Sequence, residues 1–232
     1  MNFADLKRDA NQELLKNFGF YFILYLPFLI LQSLSGLVAN HISGQASNAL
    51  LAGTTDAITN FTGHYNGEIN FYYLISFITA IVGAGISFQI LSLIRNQTEH
   101  TGAFGKSTAI FSTKLIFGVI ATILLEYIFI FLWLLLFIVP GVVKSFSYSQ
   151  AVYIYRDAYV SGNRITPLQA ITLSRRLMDG HKGELFLLSL SFIGWWILLS
   201  IVTSFTILPV LGIFVYPYYQ ITMMNYYNRL SA

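Results

Sequence analysis

Between Leu115 and Tyr155 the chain carries only two charged side chains, Glu126 and Lys144, in 41 consecutive residues. As one straight helix this stretch would be about 61 Å long, twice the ~30 Å hydrocarbon of a bilayer. It must fold back on itself, and Pro140-Gly141 is the natural tip of that hairpin. The same arithmetic gives two further passes in Gly183–Asn228. A soluble domain carries about 25% charged residues. Here the figure is 10%, with 56% hydrophobic residues among 232 and a mean hydropathy of +0.65. The pattern predicts an all-α polytopic membrane protein, a bundle of six transmembrane helices with amphipathic helices on its cytoplasmic face.

The predicted spans are 18–39, 71–94, 115–139, 142–155, 183–204 and 209–228, all in one membrane domain (1–232). The first is longer than the roughly 7–15-residue apolar core of a signal peptide and reads as a permanent span. Residues 1–17 read as an interfacial amphipathic helix, since Phe3, Leu6, Ala10, Leu14 and Phe18 fall on one stripe. Residues 40–70 contain no Lys or Arg and read as an extracellular loop, and 156–182 as a basic cytoplasmic segment. With six spans, twelve of the 13 Lys and Arg fall on one side, and only Lys144, beside the Pro-Gly tip, on the other. The positive-inside rule makes that side cytoplasmic, with both termini on it.

Glu126 is the one acid deep within a predicted span; Glu184 stands at the very start of 183–204. A charge at bilayer depth costs about 2.5–3.5 kcal/mol on insertion scales, which makes an intramembrane acid a functional candidate. It is expected to be neutral, with Gln150, Tyr153 and Gln220 near enough in depth to bond a protonated carboxyl. Lys144 lies too far along the helix to pair with it. Ser76, Ala80 and Ala84, with Gly83 and Ser87, form a small-residue stripe that reads as a helix-packing surface. Thr166 and Pro167 suit a helix start and Gly180 its end. In the helix between them Arg175 and Arg176 share a polar face, and Lys182 follows. These three are the candidates for docking anionic lipid or a protein partner.

There is no cysteine, which excludes disulfides and thiol chemistry. The four His show no metal spacing, and no nucleophile elbow or pair of intramembrane acids appears. Gly105-Lys106-Ser107-Thr108 lacks the earlier glycine of a phosphate-binding loop, whose place is taken by His100. No enzyme, cofactor, metal or nucleic acid is expected. The predicted partners are membrane lipids, with a protein partner at the cytoplasmic face or the extracellular loop. The predicted function is a non-enzymatic membrane scaffold or regulator, and the alternative is a small transporter or channel with a polar site near Glu126.

The second half carries a resemblance. Leu135-Leu136-Phe137-Ile138-Val139-Pro140-Gly141, Ser147-Tyr148-Ser149, Ser174 to Met178, Gly180-His181-Lys182, Leu190-Ser191-Phe192-Ile193-Gly194-Trp195 and Pro217-Tyr218 resemble the bacterial membrane family called domain of unknown function 975. The chain departs from that pattern at Ser189, where an acid is expected, and at Asp157–Val160, where an Asp-Asn-Pro-like turn is expected. The resemblance implies a multi-pass protein of the bacterial plasma membrane and brings no activity and no functional residues.

Overall fold

The computed structural model describes residues 2–53, 55–206 and 210–231, and every element among them is helical. In order these are α1 (Phe3–Lys16), α2 (Phe18–Ala52), α3 (Thr55–Ile94), α4 (Ala103–Thr108), a 3-10 turn (Ala109–Ser112), α5 (Leu115–Leu136), α6 (Ile138–Tyr148), α7 (Ala151–Val160), α8 (Pro167–Leu177), α9 (Lys182–Leu190), α10 (Ile193–Thr206) and α11 (Gly212–Leu230). The turn expected near 204–209 includes residues 207–209, which lie outside the described residues.

Three helices are long and apolar enough to cross a membrane: α2, the His64–Ile94 part of α3, and α5. The pair α9 and α10, bent by 40°, qualifies as a fourth crossing if taken together. The pair α6–α7 and the polar-studded α11 do not pass the same test of length and composition. The all-α membrane-type architecture is therefore present, with three or four qualifying spans among the described residues.

Residues 40–70 are not a loop. They extend α2 to Ala52 and let α3 begin at Thr55, with Gly53 at φ +65° making the reversal. Asn, Gly and Ser lower helix propensity there. Bonds across the hairpin offset this: His41 Nδ1 and Glu68 Oε2 share a hydrogen bond at 2.8 Å, and the hydroxyls of Ser35 and Ser76 one at 3.3 Å. At 35 and 40 residues the two helices are about 52 and 60 Å long, so the hairpin exceeds the hydrocarbon by at least ~20 Å.

The break after α5 falls at Phe137, which is extended at φ −157° and ψ 140°. Pro140 sits inside the first turn of α6, where an N–H has no helical partner to lose. Gly141 passes under Leu134 so closely that a side chain there would overlap it. Every side chain from Leu134 to Val139 is exposed, so the whole tip of the α5–α6 hairpin is apolar. A second break at Ser149–Gln150 divides the return into α6 and α7.

Two amphipathic helices dock their apolar stripes against the rest of the protein. The stripe Leu6, Ala10 and Leu14 of α1 is fully buried in the core that also holds Met178, Phe192 and Tyr226. Helix α8 opens with Thr166, whose hydroxyl accepts from the Gln169 N–H while Gln169 answers on the Thr166 N–H. Its apolar residues Ala170 and Ile171 pack on Tyr148 and Ala151. Ser174 then donates to the Ser147 carbonyl at 2.9 Å and accepts from the Gln150 N–H at 3.2 Å. Both helices have in-chain apolar partners, which removes the need for lipid under those faces. As a result Lys182 lies in a groove with Ile138 and Val139, beside the tip from which the sequence reading had separated it by a full bilayer.

The α3, α7 and α11 ends and the start of α5 come together at one end of the bundle. Arg95 reaches Asp157 and Ser231, Arg229 reaches Asp9 at 2.7 Å, and Lys114 shares a cavity with Arg164.

Candidate binding cavity

The small-residue stripe of α3 builds the first wall of a cavity of about 500 Å³. Ala80, Gly83, Ala84 and Ser87 line it, and Phe28 of α2 comes within 3.5 Å of where a Gly83 side chain would begin. The stripe thus serves close helix approach and leaves room behind it. The opposing walls are aromatic: Tyr25, Tyr127, Trp196, Tyr216 and Tyr219. Trp196 packs against Tyr219 at 5.2 Å and Tyr216 at 5.8 Å between ring centroids, and Tyr216 against Phe28 at 5.2 Å. The volume falls in the range of ordinary ligand sites.

Glu126 lines this cavity, and its Oε1 is buried and accepts no hydrogen bond. A buried carboxyl oxygen without a donor is costly, about 1–3 kcal/mol. None of the three predicted partners bonds it. The Gln220 amide donates to Ser87 Oγ at 2.5 Å and to Tyr153 Oη at 3.4 Å. Both Gln220 and Tyr153 line the cavity, so two of the three stand in the same site without touching the acid. Gln150 does not line it; its amide donates to Ser149 at 2.9 Å, and its own Oε1 is buried and unpaired. The break at Ser149–Gln150, which a continuous span would not have, turns Gln150 toward α8. Lys144 lies over the Trp133 ring at 4.6 Å.

The basic candidates divide. Arg175 and Arg176 stand exposed on α8, with no hydrogen bond or ion pair among the described residues. Lys182 turns to Asp179 at 3.3 Å and lines the apolar α6 groove. Among the described residues no group of three His, Asp or Glu could hold a metal.

A second polar cluster went unread in the sequence. Asp157 Oδ1 accepts from Arg95 at 2.8 Å and from Arg156 at 2.9 Å, and its Oδ2 from Tyr227 at 2.8 Å. Arg95 also donates to Asn228 at 2.9 Å and to Ser231 at 3.2 Å, and Arg156 to Ser92. Burial opposes ionisation of Asp157, yet the bonds from Arg95, Arg156 and Tyr227 outweigh it and hold the carboxyl below the usual carboxylate range. These partners are 62 and 70 residues from Asp157 for Arg95 and Tyr227, so no local spacing signals them. Of the cavity wall, the period-four stripe on α3 and the polar residues Glu126, Tyr153 and Gln220 gave a signal.

No curated protein and no solved structure matches the chain. The family described as Protein of unknown function (DUF975) matches residues 140–232, from the first turn of α6 onward, and not the α1–α5 region. Over that second half of the chain, the protein resembles the DUF975 family, to which no activity is attached.

Proposed function

We propose that this is a small multi-pass transporter or binding protein of the bacterial plasma membrane, whose cavity beside Glu126 takes an amphipathic organic cation. The observation that carries this reading is the pairing of an unsatisfied buried carboxyl oxygen with aromatic walls in one cavity. Ring faces attract a cation by about 0.5–2 kcal/mol, and the Glu126 carboxyl, neutral in the empty cavity, releases its proton to solvent as the cation enters and then supplies a full charge. Neither feature favours an anion. Cytoplasmic termini belong to the same proposal, with α2, α3, α9–α10 and α11 as crossings and α5–α6 as a re-entrant hairpin. Helices α7 and α11 return to the end where α3 stops and α5 starts, and Lys and Arg gather there. In this reading the apolar α5–α6 tip turns within the hydrocarbon.

The experiment is equilibrium binding of tetraphenylphosphonium to the full chain in nanodiscs, with Ala84→Phe as the comparison. Filling the cavity should weaken binding at least tenfold while the far-ultraviolet spectrum is kept. Unchanged binding in a folded Ala84→Phe protein contradicts the cavity reading.

A second reading, a non-enzymatic scaffold that docks an acidic protein partner, is favoured by the exposed, unpaired Arg175 and Arg176.

A further inference from the structure

Three cavities wrap the C-terminal end of α7. The largest, about 680 Å³, holds Arg95, Arg156 and Asp157; the second, about 200 Å³, shares Arg156 and Val160 with it; the third, about 390 Å³, holds Lys114 and Arg164 and shares Asn163 and Ile165 with the first. Arg95 and Arg156 line one of these neighbouring cavities and Lys114 and Arg164 another, four cations against one carboxylate, which leaves a net charge of +3 around this end of α7. Asp157 is fully used: both oxygens accept hydrogen bonds, and one of them serves two guanidiniums. The Arg156 side chain is only 6% exposed, so its charge is held out of water with half a counter-ion. Lys114 and Arg164 are exposed and have no ion pair or hydrogen bond among the described residues. Helices α3 and α7 end here, and their carbonyl ends carry only fractional negative charge, which falls off within a turn.

The place matters as much as the charge. Arg95 directly follows α3 and Lys114 directly precedes α5, two helices of span length and composition. The ends of such helices stand at headgroup depth. Tyr155 and Tyr159 line the outer cavity, the belt position where a phenol meets both ester and water. Gly118 leaves the space that the Tyr155 phenol occupies.

We propose that these three adjoining cavities form a phosphate-recognition site, with Arg95 and Arg156 as the fixed inner guanidiniums and Lys114 and Arg164 as the outer, unpaired cations. The ligand chemistry is a phosphate ester or phosphate anion. This site is separate from the cavity at Glu126 and does not rest on it.

The test uses the full chain in phosphatidylcholine nanodiscs with and without phosphatidylglycerol, reading retained phosphatidylglycerol by native mass spectrometry. Lys114→Gln with Arg164→Gln should cut retention about twenty-fivefold, at roughly a factor of five per cation near the surface. Lys114→Arg with Arg164→Lys should restore it. Arg8→Gln with Lys16→Gln removes the same charge elsewhere and should leave retention unchanged. A parallel arm adds inorganic phosphate to phosphatidylcholine nanodiscs. A rise in thermal midpoint that the Lys114/Arg164 pair abolishes assigns the site to free phosphate, and retention of phosphatidylglycerol without such a rise assigns it to lipid. No response in either arm, or equal losses from the two charge-removing pairs, overturns the proposal. Unchanged melting of all variants in phosphatidylcholine alone shows that they fold.

Discussion

Replacing Asp157 by Asn removes the only carboxylate between two guanidiniums while keeping its shape. The Arg95–Asp157 contact is 2.8 Å and the Arg156–Asp157 contact 2.9 Å, with side chains 23%, 25% and 6% exposed for Arg95, Asp157 and Arg156. Breaking a fully buried pair costs about 3–5 kcal/mol, and partial exposure of Asp157 and Arg95 places this case at about 3 kcal/mol. For a chain of 150–250 residues each kcal/mol moves the melting midpoint by about 2–4 °C, so Asp157→Asn should melt about 6–12 °C lower at pH 7. The sign of the acid dependence follows from the depressed carboxyl of Asp157. A carboxyl held lower in the folded state than in the unfolded one stabilises above its unfolded value, near 3.9, and that contribution is lost as pH falls further. The wild type should therefore lose this margin below about pH 4, and Asp157→Asn should show a flatter acid limb. Intrinsic-fluorescence melting in nanodiscs from pH 3 to 8 reads both. A variant within 2 °C of wild type at pH 7, with the same acid limb, would refute the idea that this carboxylate ties α3, α7 and α11 together.

Three further outcomes follow from single contacts. Gly118→Ala places a methyl where the Tyr155 phenol lies, so it should destabilise by about 1–3 kcal/mol in a thermal melt, and adding Tyr155→Phe should recover part of that loss. Thr166→Ala removes the α8 cap and should cost about 1 kcal/mol in the same assay. With no native cysteine, Asn48→Cys should label with an impermeant thiol reagent on intact cells, whereas the exposed Thr101→Cys and Val139→Cys should not; labelling at Val139 would place the α5–α6 tip in outer water instead of hydrocarbon.

The elements written in local spacing were readable. The α1 stripe, the Thr166 cap and the apolar runs all depend on residues three or four apart, and each is found as a helix. What the amphipathic faces would cover was not readable, because Ala170 meets Tyr148, and Leu6 meets its core, only through the tertiary fold. The polar 40–70 region was misread because its Asn, Gly and Ser argue locally for a loop. Its helices persist through His41–Glu68, a pair 27 residues apart. Pro140 suggested a tip, but a proline in a first turn breaks nothing, and the extended Phe137 makes the reversal. For Glu126, its place inside the apolar helix α5 and two of its cavity neighbours, Tyr153 and Gln220, were legible, and its lack of a hydrogen bond was not. The donors set aside for it by depth bond Ser87 and Ser149 instead.

In the proposed site the aromatic cavity recognises a cation through Glu126. Tetraphenylphosphonium and tetraphenylborate have nearly the same shape and opposite charge, so their affinity ratio isolates the electrostatic part. At about 5 Å and an effective dielectric near 20, one carboxylate is worth about 3 kcal/mol, roughly a hundredfold. Isothermal titration of both ions into nanodiscs holding wild type and Glu126→Gln measures that ratio directly. Wild type should show a strong preference for the cation that collapses by about a hundredfold in Glu126→Gln, with the anion little changed. Equal affinity for the two ions in wild type, or a preference that survives in Glu126→Gln, would contradict cation recognition through Glu126.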